Sequence, residues 1–437
     1  MISKGPFNAF QNAAFRLLWS ASLFSIVSFF MVIVARGWLV LELTDSPFMV
    51  TAINAVPMLP MLVLSPLGGV VADRLSRRLI LLAGDASSFI ILTALALLIL
   101  FNVVGVWHVF VLSFLHGLVF AVAMPARMAS VPDVVDPAHL SSGVALFTTI
   151  FSTAMLVGPA PAGFLIEALG MGPMFLIASC MLLPACGLLL RLDVPISLPS
   201  EEPASGHSIL DELREALTYI RSQTLLLGLL VMGVVFAVLG MPYQAMLPVI
   251  ARDVLHSGAD GLGVLATAVG VGALIGSLSV AFAWDDQRLR FLMLSGGISF
   301  GILIVLFSIS TSFLFSLPLA ILLGLAMQVS LTSNMTVMQI ALPSFIRGRV
   351  LSIRMVAIGI GPLGMLLLGV ASEYLGPQLA LGIMGGGSLV CFALVVWAFP
   401  SLRKCPFNAE LHDSTRPIAG AVELKTLKQG NHQPGAE

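Results

Sequence analysis

Gly68-Gly-Val-Val-Ala-Asp-Arg-Leu-Ser-Arg-Arg78 is a short basic hinge set between two long apolar runs. From Phe48 to Ala72 the chain carries no charged side chain, and from Leu79 to Leu100 it carries only Asp85. Arg74, Arg77 and Arg78 would be costly in hydrocarbon and are favourable beside anionic headgroups. The stretch therefore reads as a tight loop at a membrane surface, and its positive charge places it on the cytoplasmic side. The direction of every other crossing follows by alternation.

The composition agrees with that reading. The chain has 437 residues, 58% hydrophobic and 10% charged, with a mean hydropathy of +1.04. A water-soluble domain cannot hide so much apolar surface. Runs of about 20 apolar residues match a hydrocarbon layer about 30 Å thick and satisfy their own backbone as helices. A membrane barrel needs alternating strands of about 10 residues, a pattern this sequence lacks. The formal net charge of −1 points to no partner, but the placement of charge does: of 21 Lys and Arg, only Arg36 and Arg252 fall on the far side. Cys180, Cys186, Cys391 and Cys405 have no CxxC spacing and read as small buried hydrophobes. Residues 1–14 form a polar, amphipathic cytoplasmic segment without a cleavage site, so no removable signal peptide is expected.

Apolar runs bounded by Gly, Pro or charge number twelve: 17–43, 48–72, 79–101, 106–126, 141–166, 172–191, 224–249, 261–283, 291–310, 313–335, 350–372 and 379–399. The expectation is an all-α membrane protein with one six-helix bundle over 15–192 and another over 223–400. Between them, 193–222 reads as a cytoplasmic linker. Its Ser208 caps a helix whose Ile209, Leu213, Leu217 and Ile220 form an apolar stripe suited to a membrane surface. Residues 401–437 are polar and aperiodic and read as a disordered cytosolic tail. The halves also match at a constant offset of 207 residues, which lays Gly69 on Gly276, Gly117 on Gly324 and Leu115–Leu118 on Leu322–Leu325. Parallel repeats of six helices produce such a register.

The hinge Gly69-x-x-x-Asp73-Arg74-x-Ser76-Arg77-Arg78 resembles the signature between helices two and three of the major facilitator superfamily, with Ser76 where Gly is more usual. Gly158-Pro-Ala-Pro-Ala-Gly163 in the fifth span is similar to the Gly-Pro element of its antiporters, with Ala154 and Ala162 at positions where glycine is typical. Phe15–Trp19, Trp38–Thr44, Met124–Arg127, Leu247–Asp253 and Gly261–Leu265 resemble the branch of enterobactin exporters and macrolide efflux pumps. The resemblance implies a secondary transporter of the cell (inner) membrane with both termini in the cytosol and no cofactor. It also implies a central cavity lined by helices one, four, seven and ten, and a latch in which Asp73 meets the start of helix eleven. Its partners would be the lipid bilayer, a small-molecule substrate and protons, without nucleic acid, and a monomer is expected.

Ionised groups inside spans are functional suspects because hydrocarbon makes them costly. Arg36, in the outer half of the first span, shares a helical face with Ser25, Phe29 and Val32; it either lines a cavity or snorkels outward. Tyr243 is its repeat partner, beside Gln244. His116, near the centre of the fourth span, is a candidate cavity residue and a proton carrier only as a further step. Gln328 lies at similar depth in the tenth span, where a packing amide is the alternative. Asp85 stands two turns inside the third span and Arg127 ends the antiparallel fourth on the same side. A pair is expected there, serving structure or gating, with substrate binding as the alternative. Asn334 holds the repeat position of Arg127. Gly158 and Pro159 bend the fifth helix and let it pack closely, as a structural kink or as a barrier to leak.

These residues support proton-driven export of an amphipathic, siderophore- or drug-like molecule. Without a central acid, the candidate cavity leans toward neutral or anionic cargo. An importer of the same fold would share nearly every feature. A receptor or scaffold would need larger extramembrane surfaces. An enzyme is not expected, since no nucleophile–base pair or metal-ligand cluster stands at workable spacing, and no GxxxxGKS/T loop is present for ATP.

Overall fold

Where water is absent, an apolar run can satisfy its backbone only by closing hydrogen bonds within itself. The computed structural model describes residues 8–60, 76–136, 139–192, 209–283, 285–343 and 346–404, and among these eleven helices are long and apolar enough to cross a membrane. They are α1 (Ala13–Thr44), α3 (Arg77–Leu100), α4 (Val106–Ala129), α5 (Ser142–Leu169), α6 (Met171–Leu190), α7 (Thr224–Val254), α8 (Ala259–Ala281), α9 (Asp286–Ile309), α10 (Phe313–Ala341), α11 (Arg347–Leu375) and α12 (Pro377–Ala398). Between α1 and α3 a shorter apolar helix, α2, spans Pro47–Pro60. Gly69, Asp73 and Arg74 of the hinge lie outside the described residues, as do the start of the linker with Ser208, and Cys405 with the rest of the expected tail.

Local chemistry sets the ends. Asn12 begins α1 by accepting the Ala14 amide at 2.9 Å, and Asp45 ends it in the left-handed region (φ 52°). Ser46 caps α2, with Pro47 at the first helical position, where a missing N–H costs nothing. Gly170 and Gly376, at φ 86° and 82°, turn the chain between α5 and α6 and between α11 and α12, a conformation glycine tolerates without strain. Four of the described spans are interrupted, α6 at Met181 and α11 at Gly359–Ile360 among them. α5 breaks at Gly158–Pro159, and α7 contains π-helical turns at Phe236–Gly240 and Ile250–Val254.

Close backbone approach drives packing where lipid removes the hydrophobic incentive. The repeat glycines perform the same task in each half: a Cβ on Gly117 of α4 would lie 2.4 Å from the Pro57 carbonyl oxygen of α2, and one on Gly324 of α10 would lie 2.0 Å from the Val269 carbonyl oxygen of α8. Within the first half, Trp19 donates to the Leu146 carbonyl and Ser28 to the Ala178 carbonyl, which fastens α1 to α5 and α6.

The two halves of the chain meet through α1 with α7, α2 with α11, and α5 with α8. A Cβ on Gly163 of α5 would sit 2.3 Å from the Ala259 carbonyl oxygen of α8, and one on Gly369 of α11 would be 3.0 Å from the Phe48 Cα of α2. These contacts gather toward the end where α1 finishes, opposite the end where α3 begins.

The helix Ile209–Ser222 before α7 packs on α7 and on the first turns of α11, and Glu215 accepts from Arg349 at 2.7 Å. Its covered face carries Ala216 and Ile220, while Leu217 is 41% exposed. The face turned toward α7 and α11 thus runs through 216 and 220.

Candidate functional site

Asp85 in α3 and Arg127 in α4 come together because each stands near the hinge end of antiparallel neighbours. Arg127 Nη2 donates to Asp85 Oδ1 at 2.8 Å, and both side chains are buried. Ser25 of α1 donates to the second carboxylate oxygen, also at 2.8 Å. Both oxygens are thus engaged, as a buried carboxylate requires. These residues line a small cavity within the first half, together with Phe29, His116 and Phe120. His116 lies eleven residues before Arg127 on α4, about 16 Å along the axis at 1.5 Å per residue. Its ring centre is 5.9 Å from that of Phe29, which stacks on Phe120 at 4.2 Å.

A second, larger cavity lies between the halves. Phe30, Ile33 and Val34 of α1 and Met155 and Pro159 of α5 face Gln244, Leu247 and Pro248 of α7 and Leu262, Ala266 and Val269 of α8. Its polar side chains are Gln244 and Asn54 of α2. Gln244 leans on the Met327 sulfur at 3.5 Å, and Asn54 donates back to the Val50 carbonyl at 2.9 Å.

Of the helices expected to line a central cavity, α1 and α7 border the interhalf cavity, with α2, α5 and α8, and α1 and α4 border the cavity of the first half. On α10, the Gln328 amide turns along its own helix to Thr332 at 3.0 Å, and Gln328 packs where Gly276 of α8 leaves room. Tyr243 is fully enclosed, edge-on to Phe300, with its hydroxyl 4.0 Å from the Met327 sulfur. Asn334 donates to the Leu229 carbonyl at 3.1 Å and accepts from Arg354. Arg36 is buried at 3% exposure with its Nε enclosed and unpartnered.

The remaining basic hinge residues tie down α3. Arg77 donates to Asp133 at 2.5 Å and to the Ala129 carbonyl at 2.8 Å, beside the end of α4, while Arg78 donates to the Leu189 and Leu190 carbonyls at the end of α6. Gly158 lies against Val27 and Phe30 of α1, Pro159 lines the interhalf cavity, and Gly163 meets Gly263 of α8. The Gly-Pro element is therefore the surface on which α5 touches both its own half and the other.

Four features escaped the sequence reading. Arg252 Nη1 donates to Asp45 Oδ1 at 2.7 Å and to the Leu41 carbonyl at 3.2 Å, joining α7 to α1. Asp45 and Arg252 are 207 residues apart, so the repeat offset itself held the signal. Glu373 of α11 accepts from the Ser46 hydroxyl at 2.9 Å and the Phe48 amide at 3.3 Å, at a helix start where negative charge is favoured. Arg354, buried beside Asn334, sits two turns inside α11. Asn54, the one amide in the apolar run of α2, carried no sign of the direction it faces.

Long apolar helices that close over a cavity between two chain halves define a multi-pass membrane transporter. The chain belongs to the major facilitator superfamily: the family model described as transmembrane secretion effector matches residues 4–425. This is a family of transporters, not enzymes. Among its relatives, the staphyloferrin A transporter of Staphylococcus aureus is 25% identical over 87% of this chain and 94% of its own length. The multidrug efflux pump Tap of Mycolicibacterium fortuitum is 26% identical over 80% and 90%. Macrolide efflux protein A of Streptococcus pyogenes is 21% identical over 89% and 96%. Among solved structures, the nucleoside transporter NupG aligns over 90% of this chain and all of its own, at TM-score 0.69 and 15% identity. A POT family transporter in complex with 5-aminolevulinic acid aligns over 90% and 97%, at TM-score 0.70 and 12% identity. These two share the fold.

Proposed function

We propose that the protein is a secondary active exporter of an amphipathic, siderophore- or drug-like small molecule, driven by protons and working by alternating access. The observation that carries this reading is the cavity bounded by both halves and lying beside their junction. An apolar wall with two amides suits an amphipathic cargo. The relatives that handle a siderophore, several drugs and macrolides favour the same kind of cargo.

The fold in this reading is two pseudo-symmetric six-helix bundles, with the apolar run 48–72 as the twelfth crossing. The excess of Lys and Arg near the hinge side puts both termini in the cytosol of a bacterial cell and the Asp45–Arg252 and Glu373–Ser46 contacts on the outer face. The state described is then the one shut toward the outside. Gly69, Asp73, Arg74, Arg77 and Arg78 form the opposing cytoplasmic latch, a role that rests on the resemblance of the hinge to the superfamily signature, since Arg77 and Arg78 bind the ends of α4 and α6 within their own half. Asp85 is the coupling carboxylate: protonating it would release Arg127 and Ser25 together, and so loosen the joint between α1, α3 and α4.

Proteoliposomes with an imposed pH gradient test this. Saturable flux of a macrolide or a siderophore that follows the gradient, with accumulation in everted but not right-side-out vesicles, is expected. Accumulation in right-side-out vesicles would make the protein an importer, and unsaturable downhill leak would contradict alternating access.

A further inference from the structure

The wall of the interhalf cavity carries no charge. It is apolar except for Asn54 of α2 and Gln244 of α7, one from each half of the chain. The buried ionised groups nearby stand elsewhere: Asp85 and Arg127 line the cavity of the first half, and Arg36 lines neither. An ionised group that entered the interhalf cavity would lose its hydration and meet no opposite charge, which is costly.

The two amides narrow the choice further, because their nitrogens are already used. Asn54 Nδ2 donates to the Val50 carbonyl of its own helix at 2.9 Å, and a Cβ on Gly37 of α1 would lie 3.5 Å from it. Turning this amide over would set its oxygen against the Val50 carbonyl oxygen, so the bond fixes which atom is left over. Gln244 Nε2 is directed at the Met327 sulfur of α10 at 3.5 Å. Neither Val50 nor Met327 belongs to the cavity wall, so both nitrogens turn to acceptors outside it. Among the described residues nothing donates to Asn54 Oδ1 or Gln244 Oε1, and neither oxygen is sealed from solvent. The wall therefore offers a cargo two acceptors on an otherwise apolar surface.

We infer that the interhalf cavity selects an uncharged, largely apolar cargo carrying hydroxyl or N–H donors, which meet Asn54 Oδ1 and Gln244 Oε1, and that it discriminates against ionised cargo and against neutral cargo without a donor. The inference rests on the reading of this cavity as the cargo site. A hydrogen bond between neutral groups corresponds to about twofold to tenfold in affinity.

Three probes with one aromatic body separate charge from donor. N-phenyl-1-naphthylamine is neutral with one N–H, its N-methyl derivative is neutral with none, and 8-anilino-1-naphthalenesulfonate is an anion. Binding to purified full-length protein is read by energy transfer from its five tryptophans, of which Trp38 stands one turn beyond Val34 of the cavity wall. The amine should bind saturably and at least about threefold more tightly than its N-methyl derivative, and the sulfonate should compete at least about tenfold less well. The double variant Asn54→Leu, Gln244→Met removes both oxygens with little change of volume. It should bind the amine and the N-methyl derivative alike, with the wild-type affinity for the latter and unchanged thermal unfolding. No saturable binding of the amine, equal wild-type affinity for amine and N-methyl derivative, a sulfonate that competes as well as the amine, or a full donor preference in the double variant would each overturn the inference. If the double variant does not fold, the wild-type comparisons decide. Flux in proteoliposomes keeps the two questions apart. Amine and N-methyl derivative carried equally well would refute the donor preference and leave the transporter reading standing; the binding preference without saturable flux of either would uphold the site and refute transport.

Discussion

Replacing Asp85 by leucine strands a guanidinium inside the protein. Arg127 is buried, its Nη2 has Asp85 as partner at 2.8 Å, and the carboxylate also holds Ser25. Removing one partner of such a pair typically costs about 3–5 kcal/mol, because the other charge keeps its burial penalty without compensation. Removing both charges avoids most of that cost, since apolar side chains of similar volume often replace a buried pair at little or no loss. Asp85→Leu and Arg127→Met should therefore each lower stability by about 3–5 kcal/mol, and the double variant should be more stable than either. Ser25→Ala, which removes one hydrogen bond to a charged group, should cost about 1.5–3 kcal/mol. Unfolding in detergent, followed by tryptophan fluorescence, measures the cycle. If the double variant is as unstable as the sum of the singles, the two side chains are not a coupled pair and the reasoning fails. In flux assays, Asp85→Asn should lose proton dependence, and an unchanged rate with unchanged dependence would remove the carboxylate from coupling.

Two further outcomes follow from the junction between halves. Asp45 is 80% exposed at its side chain, so the Asp45–Arg252 pair contributes no more than about 1 kcal/mol. That shifts a two-state balance about fivefold, so Asp45→Arg alone should speed outer-face labelling by about that factor. Asp45→Arg with Arg252→Asp should restore it, which salt-dependent labelling rates would check. Gly163→Ala puts a methyl 2.3 Å from the Ala259 carbonyl oxygen. It should cost about 1–3 kcal/mol through forced separation of α5 and α8, and wild-type melting and flux would contradict that contact.

Eleven of the twelve expected crossings were legible because each is a long apolar run with its charges mostly near the ends; among the observed bounds, Asn12 extends α1 beyond the expected start. The Asp85–Arg127 meeting was legible too, since two charges at one depth on antiparallel neighbours have few other partners. The residues between the halves were less so. Asp45 and Arg252 stand at span ends, where charge ordinarily means only solvent, and an offset of 207 becomes a contact only when the two repeats fold against each other. Gln328 and Gln244 look alike in sequence, yet one turns along its own helix and the other lines a cavity. No periodicity encodes that choice, because α8 and α10 pack so tightly through Gly272, Gly276 and Gly324 that the face available to Gln328 is set by the neighbour.

The most direct test of the account is to clamp the outer junction and ask for flux. With the four native cysteines replaced, Asp45→Cys and Arg252→Cys joined by a short bifunctional methanethiosulfonate should stop transport, and reduction should restore it. Full-rate flux through the cross-linked protein would mean that the halves need not part there for cargo to pass, and alternating access about this cavity would be wrong.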